Sequence, residues 1–323
     1  MTTTEPVDLH DDNAFATFYD VYEQALDRDV DQPYSAIEKR VGLRPDAYAD
    51  KVVLLARDDD GTPVGGGLVE LPLRDNTGFV YVEVFTVPEH RRRGHGAAVV
   101  EAMEEIGRDA GRSILFGEAV WELDAVDPAS QAFAEAVGFR LDLMDAMRVL
   151  PLPATIPPLK VAPGYTIHSW RGVCPETWVR GYAEARRQLN EEAPGGDAEL
   201  ENEFWDVSRV RFEEEHWAEQ GRTAQVSIAV DDDGEVVGHT LLVFPGGGDD
   251  EVYQWDTLVL PTHRGHALGL ALKVKTMLES ADLLEGRRRI TTYNAAGNQA
   301  MIRVNEVLGF QQIAWIGEYV KTL

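Results

Sequence analysis

Val259-Leu260-Pro261-Thr262-His263-Arg264-Gly265-His266-Ala267-Leu268-Gly269 is the stretch from which the rest of the chain is read. Leu258, Val259 and Leu260 read as the end of a strand, and Pro261 stops it because proline cannot donate a ladder hydrogen bond. Small residues at Gly265, Ala267 and Gly269 then open a helix. Its apolar stripe is Leu270, Val274, Met277, Leu278 and Ala281, at i, i+4, i+7, i+8 and i+11. Strand, glycine-containing turn and helix start together make an anion seat. The first N–H groups of the helix lack partners, and the macrodipole favours negative charge there.

A second copy lies upstream in Val87-Pro88-Glu89-His90-Arg91-Arg92-Arg93-Gly94-His95-Gly96. Segments 56–65 and 229–238 align at an offset of 229 − 56 = 173. The same offset pairs Leu68 with Leu241, Pro72 with Pro245, Glu83 with Asp256, Arg91 with Arg264 and Gly96 with Gly269. Gly138-Phe139 and Gly309-Phe310 agree at 309 − 138 = 171. Several segments sharing one offset make the chain a tandem duplication. Between the copies, residues 151–164 hold five prolines, which forbid a helix and suit a stiff connector. The boundary is placed there, giving domains 1–153 and 154–323.

Each half reads as mixed α/β. In the first, helices are expected near 15–25 and 34–41 and strands over 51–57 and 63–71, joined by an Asp-Gly turn. A β-rich run 79–87, the first seat, a helix with Val99, Met103, Ile106 and Ala110 on one face, a strand 113–120 and a helix 130–137 follow. The second half repeats this plan. Its strands are expected at 165–170, 224–244 (a hairpin), 252–260 and 289–293, its helices at 176–189, 198–220 and 298–308, with final strands at the end.

The chain has 323 residues and a net charge of −26, with 44% apolar and 27% charged residues. That is room for two ordinary domains with real cores. The acidic balance argues against nucleic acid and anionic membranes as partners and is compatible with a cationic small molecule. Cys174 is the only cysteine, so no intrachain disulfide forms, and nothing in Gly172-Val173-Cys174-Pro175 would activate it as a nucleophile. No apolar run reaches the ~18 residues of a membrane span, and the first residues carry no signal-peptide pattern. A cytoplasmic protein, monomer or homodimer, is expected.

Arg91-Arg92-Arg93-Gly94-His95-Gly96 fits Arg/Gln-x-x-Gly-x-Gly/Ala between a strand and a helix, with Gly-Phe some forty residues on. In this it resembles the acyl-CoA loop of the GNAT N-acetyltransferase superfamily, and the resemblance spans nearly the whole chain, twice. The layout is similar to the tandem-GNAT proteins of actinobacteria, a group that includes the mycothiol-synthase type. The resemblance implies two acyl-CoA N-acyltransferase folds, with acetyl-CoA as cosubstrate, no metal and a small-molecule amine as acceptor.

A pyrophosphate needs several N–H donors converging without side chains in the way. On the first loop the expected contacts are Arg91, Arg92, Arg93, Gly94, His95 and Gly96, with Phe85 and Val87 on the strand before it. On the second they are Arg264, Gly265, His266, Ala267, Leu268 and Gly269, with Leu258, Val259 and Leu260 supplying the backbone donor to the thioester carbonyl that the resemblance implies. Ala267 stands where the first loop has Gly94, and alanine accepts positive φ less easily. Asn294, Asn298, Met301, Asn305 and Leu308 fall on one helical face if the helix starts that early. The family's groove implies cofactor contacts for Asn294, Asn298 and Asn305. The alternative for the first two is helix capping. At offset 171 their counterparts are Leu123, Asp127 and Ala134.

Amine acetylation needs a proton acceptor for the amine and a donor for the departing thiolate. Asp256 is the base candidate of the second half and Glu83 its counterpart in the first. Many relatives place a tyrosine four residues before the Gly-Phe glycine, where this chain has Asn305 and Ala134. Tyr253, Tyr293 or water then supplies the proton, or the thiolate leaves without help. His239, His263 and His266 have no partners at metal-ligand spacing.

The expectation is a tandem-GNAT enzyme whose second half acetylates a primary amine. Its acceptor cleft is expected to be lined by Trp255, Asp256, the 176–189 region and the final strands. The first half is expected to be degenerate, with CoA binding retained. Two alternatives stand: acetylation of a sugar-linked amine in the manner of mycothiol synthases, and a catalytically silent acyl-CoA-binding module.

Overall fold

The structure is a computed structural model that describes every residue except 32, 127, 189–195, 199, 248 and 249. Asp127, the expected counterpart of Asn298, therefore lies outside the described residues. Two compact units divide the chain. The first contains Met1–Met144, Gly195–Glu201 and Ala314–Leu323, and the second Asp145–Pro194 and Asn202–Ile313.

The first unit holds β1 (Thr3–Pro6), α1 (Asp12–Ala25), α2 (Ala36–Gly42), β2 (Ala49–Arg57), β3 (Pro63–Pro72), β4 (Phe79–Thr86), α3 (His95–Asp109), β5 (Ile114–Glu122) and α4 (Ala129–Ala136). Asp11 caps α1 through its side chain, and the Asp58 carboxylate accepts from Asp60 N and Thr62 N to close the β2–β3 turn at Gly61, φ 80°. Phe15, Phe18 and Tyr22 of α1 pack on Val53, Leu55 and Phe85. Val99, Val100 and Met103 of α3 pack with Leu54, Val80 and Leu115, so the sheet carries helices on both faces.

The second unit repeats the layers with β7 (Tyr165–Arg171), α5 (Val179–Arg187), α6 (Val207–Glu219), β8 (Thr223–Asp231), β9 (Val236–Phe244), β10 (Glu251–Val259), α7 (Leu268–Glu279), α8 (Ala281–Leu284), β11 (Arg289–Ala295) and α9 (Gln299–Leu308). The Asp231 carboxylate closes the β8–β9 turn as Asp58 does in the first copy. Val226, Ile228, Leu241 and Val243 meet Tyr182, Val210 and Trp217 of α5 and α6 on one face. Leu242, Phe244, Val252 and Ile290 meet Val274, Met277 and Leu308 on the other.

Four expectations change. The helix expected over 198–220 begins only at Val207, where the Asp206 side chain caps it. β1 and the long strand β6 (Arg140–Pro151), neither of them expected, join the sheets. Asn294 lies on β11, ahead of α9, not on one helical face with Asn305. The end of the chain forms one strand, β12 (Gln311–Thr322), and its residues 314–322 pair with β5 of the first unit.

Residues 145–151 of β6 pair with β11 of the second unit. The repeat halves 1–153 and 154–323 thus each send most of their closing strand into the other compact unit. Strand order is β1-β2-β3-β4-β5-β12 in the first unit and β6-β11-β10-β9-β8-β7 in the second. In each, a single parallel pair stands among antiparallel ones: β4 with β5, and β10 with β11.

Candidate functional site

Both anion seats use one backbone device. A 3₁₀ turn, Pro88–His90 or Pro261–His263, follows the strand. Arg91 Nε donates to the Thr86 carbonyl at 3.0 Å, and Arg264 Nε to the Val259 carbonyl at 3.1 Å, so each motif arginine ties its turn to its own strand. Two positions then take left-handed φ: Arg92 and Gly94 in the first turn (65° and 89°), Gly265 and Ala267 in the second (86° and 55°). Ala267 adopts the conformation it was expected to resist, at a cost of about 1–2 kcal/mol. No side chain caps α3 or α7, so their first N–H groups are not taken up by a cap residue.

The first unit encloses a cavity of about 810 Å³ along this seat. Arg92, Gly94, His95 and Gly96 line one end, Val82 and Gly117 the gap where β4 and β5 part, and Val100, Ala119, Ala134 and Phe139 the walls. Phe85 also lines it, whereas Val87 packs in the α1 core and Arg93 lies outside the lining. Arg91 spends its Nη2 on the Ala25 carbonyl and the Asp27 carboxylate. His95 is buried, with Nδ1 against the Thr2 hydroxyl at 2.9 Å, and burial together with His90 lowers its pKa. A Cβ at Gly96 would come within 3.1 Å of the Phe133 ring, so any larger residue there would press on that side chain. A helix start without a side-chain cap leading into an apolar channel fits a ligand with a phosphate head and an apolar arm.

The second unit differs where its strands part. β10 and β11 pair only as far as Tyr253 opposite Thr291, and β10 bulges against β9 between Gln254 and Thr257. Val69 to its partner Val82 is 82 − 69 = 13 residues, but Leu242 to Gln254 is 254 − 242 = 12. Two pairs further on, Gly67 to Val84 and Thr240 to Thr257 both span 17 (84 − 67 and 257 − 240). Trp255 and Asp256 therefore occupy the place of Glu83 alone. Side chains hold the bulge. Gln254 Nε2 donates to the Leu241 carbonyl at 2.7 Å and the Trp255 carbonyl at 3.1 Å. Thr240 Oγ1 donates to the Asp256 carbonyl at 3.1 Å, and Thr292 Oγ1 to the Gln254 carbonyl at 3.0 Å.

The bulge aims Asp256 at α5. Its carboxylate lies 3.1 Å from Arg186 Nε, and Glu213 of α6 takes the other edge of the guanidinium at 2.8 and 3.2 Å. Arg186 is buried and stacks 3.9 Å over Trp205. Burial raises the pKa of Glu213 despite Arg186. His239, opposite Leu258, is fully buried with neither ring nitrogen hydrogen-bonded among the described residues, and burial pushes its pKa down to about 4. Tyr253 is buried in the aromatic core and stacks on Trp255 with centroids 6.4 Å apart. Asp256 thus meets α5 through Arg186, and Trp255 packs against the core cluster that includes Tyr182, Ala183 and Ala185 of α5. The final strand does not join them, because residues 314–322 close the first unit. In that unit Glu83 pairs with Lys39 Nζ at 2.5 Å.

On the other face of the second unit the three asparagines separate. Asn298 caps α9, its Oδ1 accepting from Met301 N at 3.1 Å. Asn305 is fully buried; its Nδ2 donates to Asn294 Oδ1 at 2.5 Å and its Oδ1 accepts from Lys273 Nζ at 2.8 Å. Lys273 is 1% exposed, and burial pushes its pKa down to about 7. Around the second loop, Tyr165 OH lies 3.1 Å from His263 Nδ1, and His266 Nδ1 lies 3.2 Å from the His263 carbonyl. Leu258 and Leu268 are core residues, with Val259 and Leu260 packed beside Leu268. Cys174 is buried, its thiol pushed up to about 12 mainly by burial. Among the described residues no group of three His, Cys, Asp or Glu could hold a metal, and no helix is long and apolar enough to cross a membrane.

Gln254, Thr240, Arg186, Glu213 and Lys273 were not singled out from the sequence. Lys273 left one signal: it falls three residues after Leu270 and four before Met277, within the apolar stripe.

The model of the acetyltransferase (GNAT) family matches residues 15–139 and again 188–310. A mycothiol acetyltransferase of Kocuria rhizophila is 26% identical over 270 residues, covering 78% of this chain and 79% of that one. A solved tandem GNAT protein from the clavulanic acid biosynthesis pathway superposes with a TM-score of 0.82 at 24% identity, over 100% of this chain and 98% of its own. A GCN5-related N-acetyltransferase from Sphaerobacter thermophilus gives 0.71 at 17% identity, over 99% and 95%.

Proposed function

The chain belongs to the GNAT acetyltransferase family, and on that premise we propose that it transfers the acetyl group of acetyl-CoA to a primary amine in its second unit. The observation that carries this is the bulge at Trp255-Asp256, held by Gln254 and Thr240 beside the gap between β10 and β11. Bulges re-aim side chains and backbone and favour the neighbourhood of active sites. The first unit has no counterpart in its β3–β4 register, which runs unbroken from Gly65–Thr86 to Glu70–Tyr81.

Bound at the second seat, acetyl-CoA supplies an activated acyl thioester. The first-turn amides of α7 hold its phosphates, and the backbone around Leu258 and Val259 donates to the thioester carbonyl as negative charge develops there, the Leu260 N–H being spent on the Val237 carbonyl. Asp256 accepts the proton of the attacking amine, and the ion pair with Arg186 holds that carboxylate in place. Trp255 and the Arg186–Glu213 pair flank the acceptor, whose chemistry is that of a small cationic amine or of a sugar-linked amine. The first unit, with Glu83 tied to Lys39, holds acyl-CoA without turning it over.

The test is thiol release from acetyl-CoA over an amine panel, for the wild type, Asp256→Asn and Glu83→Gln. A loss of about 10²-fold in kcat is expected for Asp256→Asn, with Glu83→Gln close to wild type. The opposite ranking overturns the assignment of the units. Tight CoA binding without turnover on any amine overturns the enzyme reading in favour of a silent acyl-CoA-binding module.

A further inference from the structure

Lys273 is a buried lysine, and among the described residues no carboxylate pairs with it. Its one hydrogen-bond partner among the described residues is the neutral Asn305 amide, at 2.8 Å, and the Phe310 ring lies 5.5 Å away. Asn305 cannot turn its nitrogen toward the lysine, because Nδ2 is committed to Asn294 Oδ1. An ammonium has three N–H donors, and one is spent here. A buried amine of this kind costs stability that an apolar residue in its place would not.

The repeat identifies where this cluster stands. Lys273 follows the α7 cap Ala267 by six residues, as Val100 follows the α3 cap Gly94. Asn305 precedes Gly309 by four, as Ala134 precedes Gly138, and both glycines take positive φ. Leu115 lies opposite Val80 and Ile290 opposite Val252, each two residues before the last β4 or β10 position ahead of the bulge. The β5-to-β11 offset is therefore 290 − 115 = 175, and Asn294 corresponds to Ala119 rather than to Leu123. Val100, Ala119 and Ala134 all line the cavity of the first unit. The second unit has replaced three apolar wall positions with a lysine and two amides that bond to one another.

We propose that Lys273 is the proton donor to the sulfur of CoA in the second unit, oriented by Asn305 and Asn294. This rests on the second unit being the site of acyl transfer. As the amine nitrogen forms its bond to the acyl carbon, the carbon–sulfur bond breaks and its electron pair stays on sulfur. Lys273 gives one proton to that sulfur, the attacking amine loses one to Asp256, and solvent returns the lysine to its charged form. Burial alone lowers the lysine's pKa to about 7, which makes the ammonium a ready donor at neutral pH. The first unit, with Val100 and Ala134, has no donor at these positions.

The test follows the thiol of bound CoA by the ultraviolet absorbance of its thiolate, in the full chain and in Lys273→Met. In the wild type the bound thiol should ionise at lower pH than in the variant, since an ammonium beside sulfur favours the thiolate. Thiol bound in the first unit contributes equally to both proteins and cancels in the difference. The wild type should also bind CoA about tenfold more tightly than desulfo-CoA, a preference that Lys273→Met loses. With an accepted amine, kcat should fall about 10²-fold while the KM for acetyl-CoA stays within about threefold. Identical thiol titrations and identical CoA to desulfo-CoA ratios in two active proteins overturn the role of Lys273 and leave acyl transfer standing. Absence of turnover by the wild type on every amine overturns the reading beneath it. Should the variant not fold, equal wild-type affinity for CoA and desulfo-CoA overturns the proposal by itself.

Discussion

Gln254 Nε2 donates to the main-chain carbonyl of Leu241 at 2.7 Å, filling the ladder position that the extra residue of β10 leaves open. The first unit has Val82 at the equivalent place and an unbroken register. One buried amide thus accompanies the only change of register between the two copies of this strand pair.

Gln254→Leu removes that amide and leaves a buried carbonyl without its donor. A loss of about 1–3 kcal/mol of stability is expected in urea unfolding. The bulge should slip toward the regular register, taking kcat down by about 10²-fold because the reacting groups are misplaced. Wild-type kcat in a folded Gln254→Leu protein would show that the bulge does not set the site.

Ala267 and Gly94 occupy the same left-handed cap, and only one of them is free of a Cβ penalty. Relief of about 1–2 kcal/mol in Ala267→Gly is offset by about 0.5–1 kcal/mol of added chain entropy in the unfolded state. A net gain of about 0.5–1 kcal/mol is expected in the denaturation midpoint. A loss would mean that the alanine methyl makes a contact worth more than the strain.

His239 is held neutral, with its pKa at about 4 against an ordinary 6.5. Between those values the unfolded chain binds a proton that the folded chain does not. Stability therefore rises with pH across this window and is lost as pH falls from 6.5 toward 4. His239→Leu should flatten that part of the curve, measured as unfolding free energy against pH. An unchanged slope would mean that His239 titrates normally in the fold.

Most of the layer plan was legible because it rests on local rules. Apolar spacing set α3 and α7, Asp-Gly set the two hairpin turns, and Pro88 and Pro261 marked the strand ends. Asn298 was legible only as one of two alternatives, and capping is the role it takes. The partners of Asp256 were not legible, since Arg186 and Glu213 lie 70 and 43 residues away (256 − 186 and 256 − 213) on separate helices.

By itself the sequence determined that the chain is a duplication, that each copy carries a strand–turn–helix anion seat, and that polar residues gather on the later helix of the second copy. Tertiary structure decided what those facts mean. The offset of 173 holds over β9 and again beyond the bulge but is 254 − 82 = 172 over the start of β10, because the residue that the bulge adds cancels a hairpin connection one residue shorter. Register is fixed by hydrogen bonds between strands, so only the ladder reveals which residue was gained. For the same reason the asparagines, read along one helix, proved to be a cap and a buried pair facing Lys273.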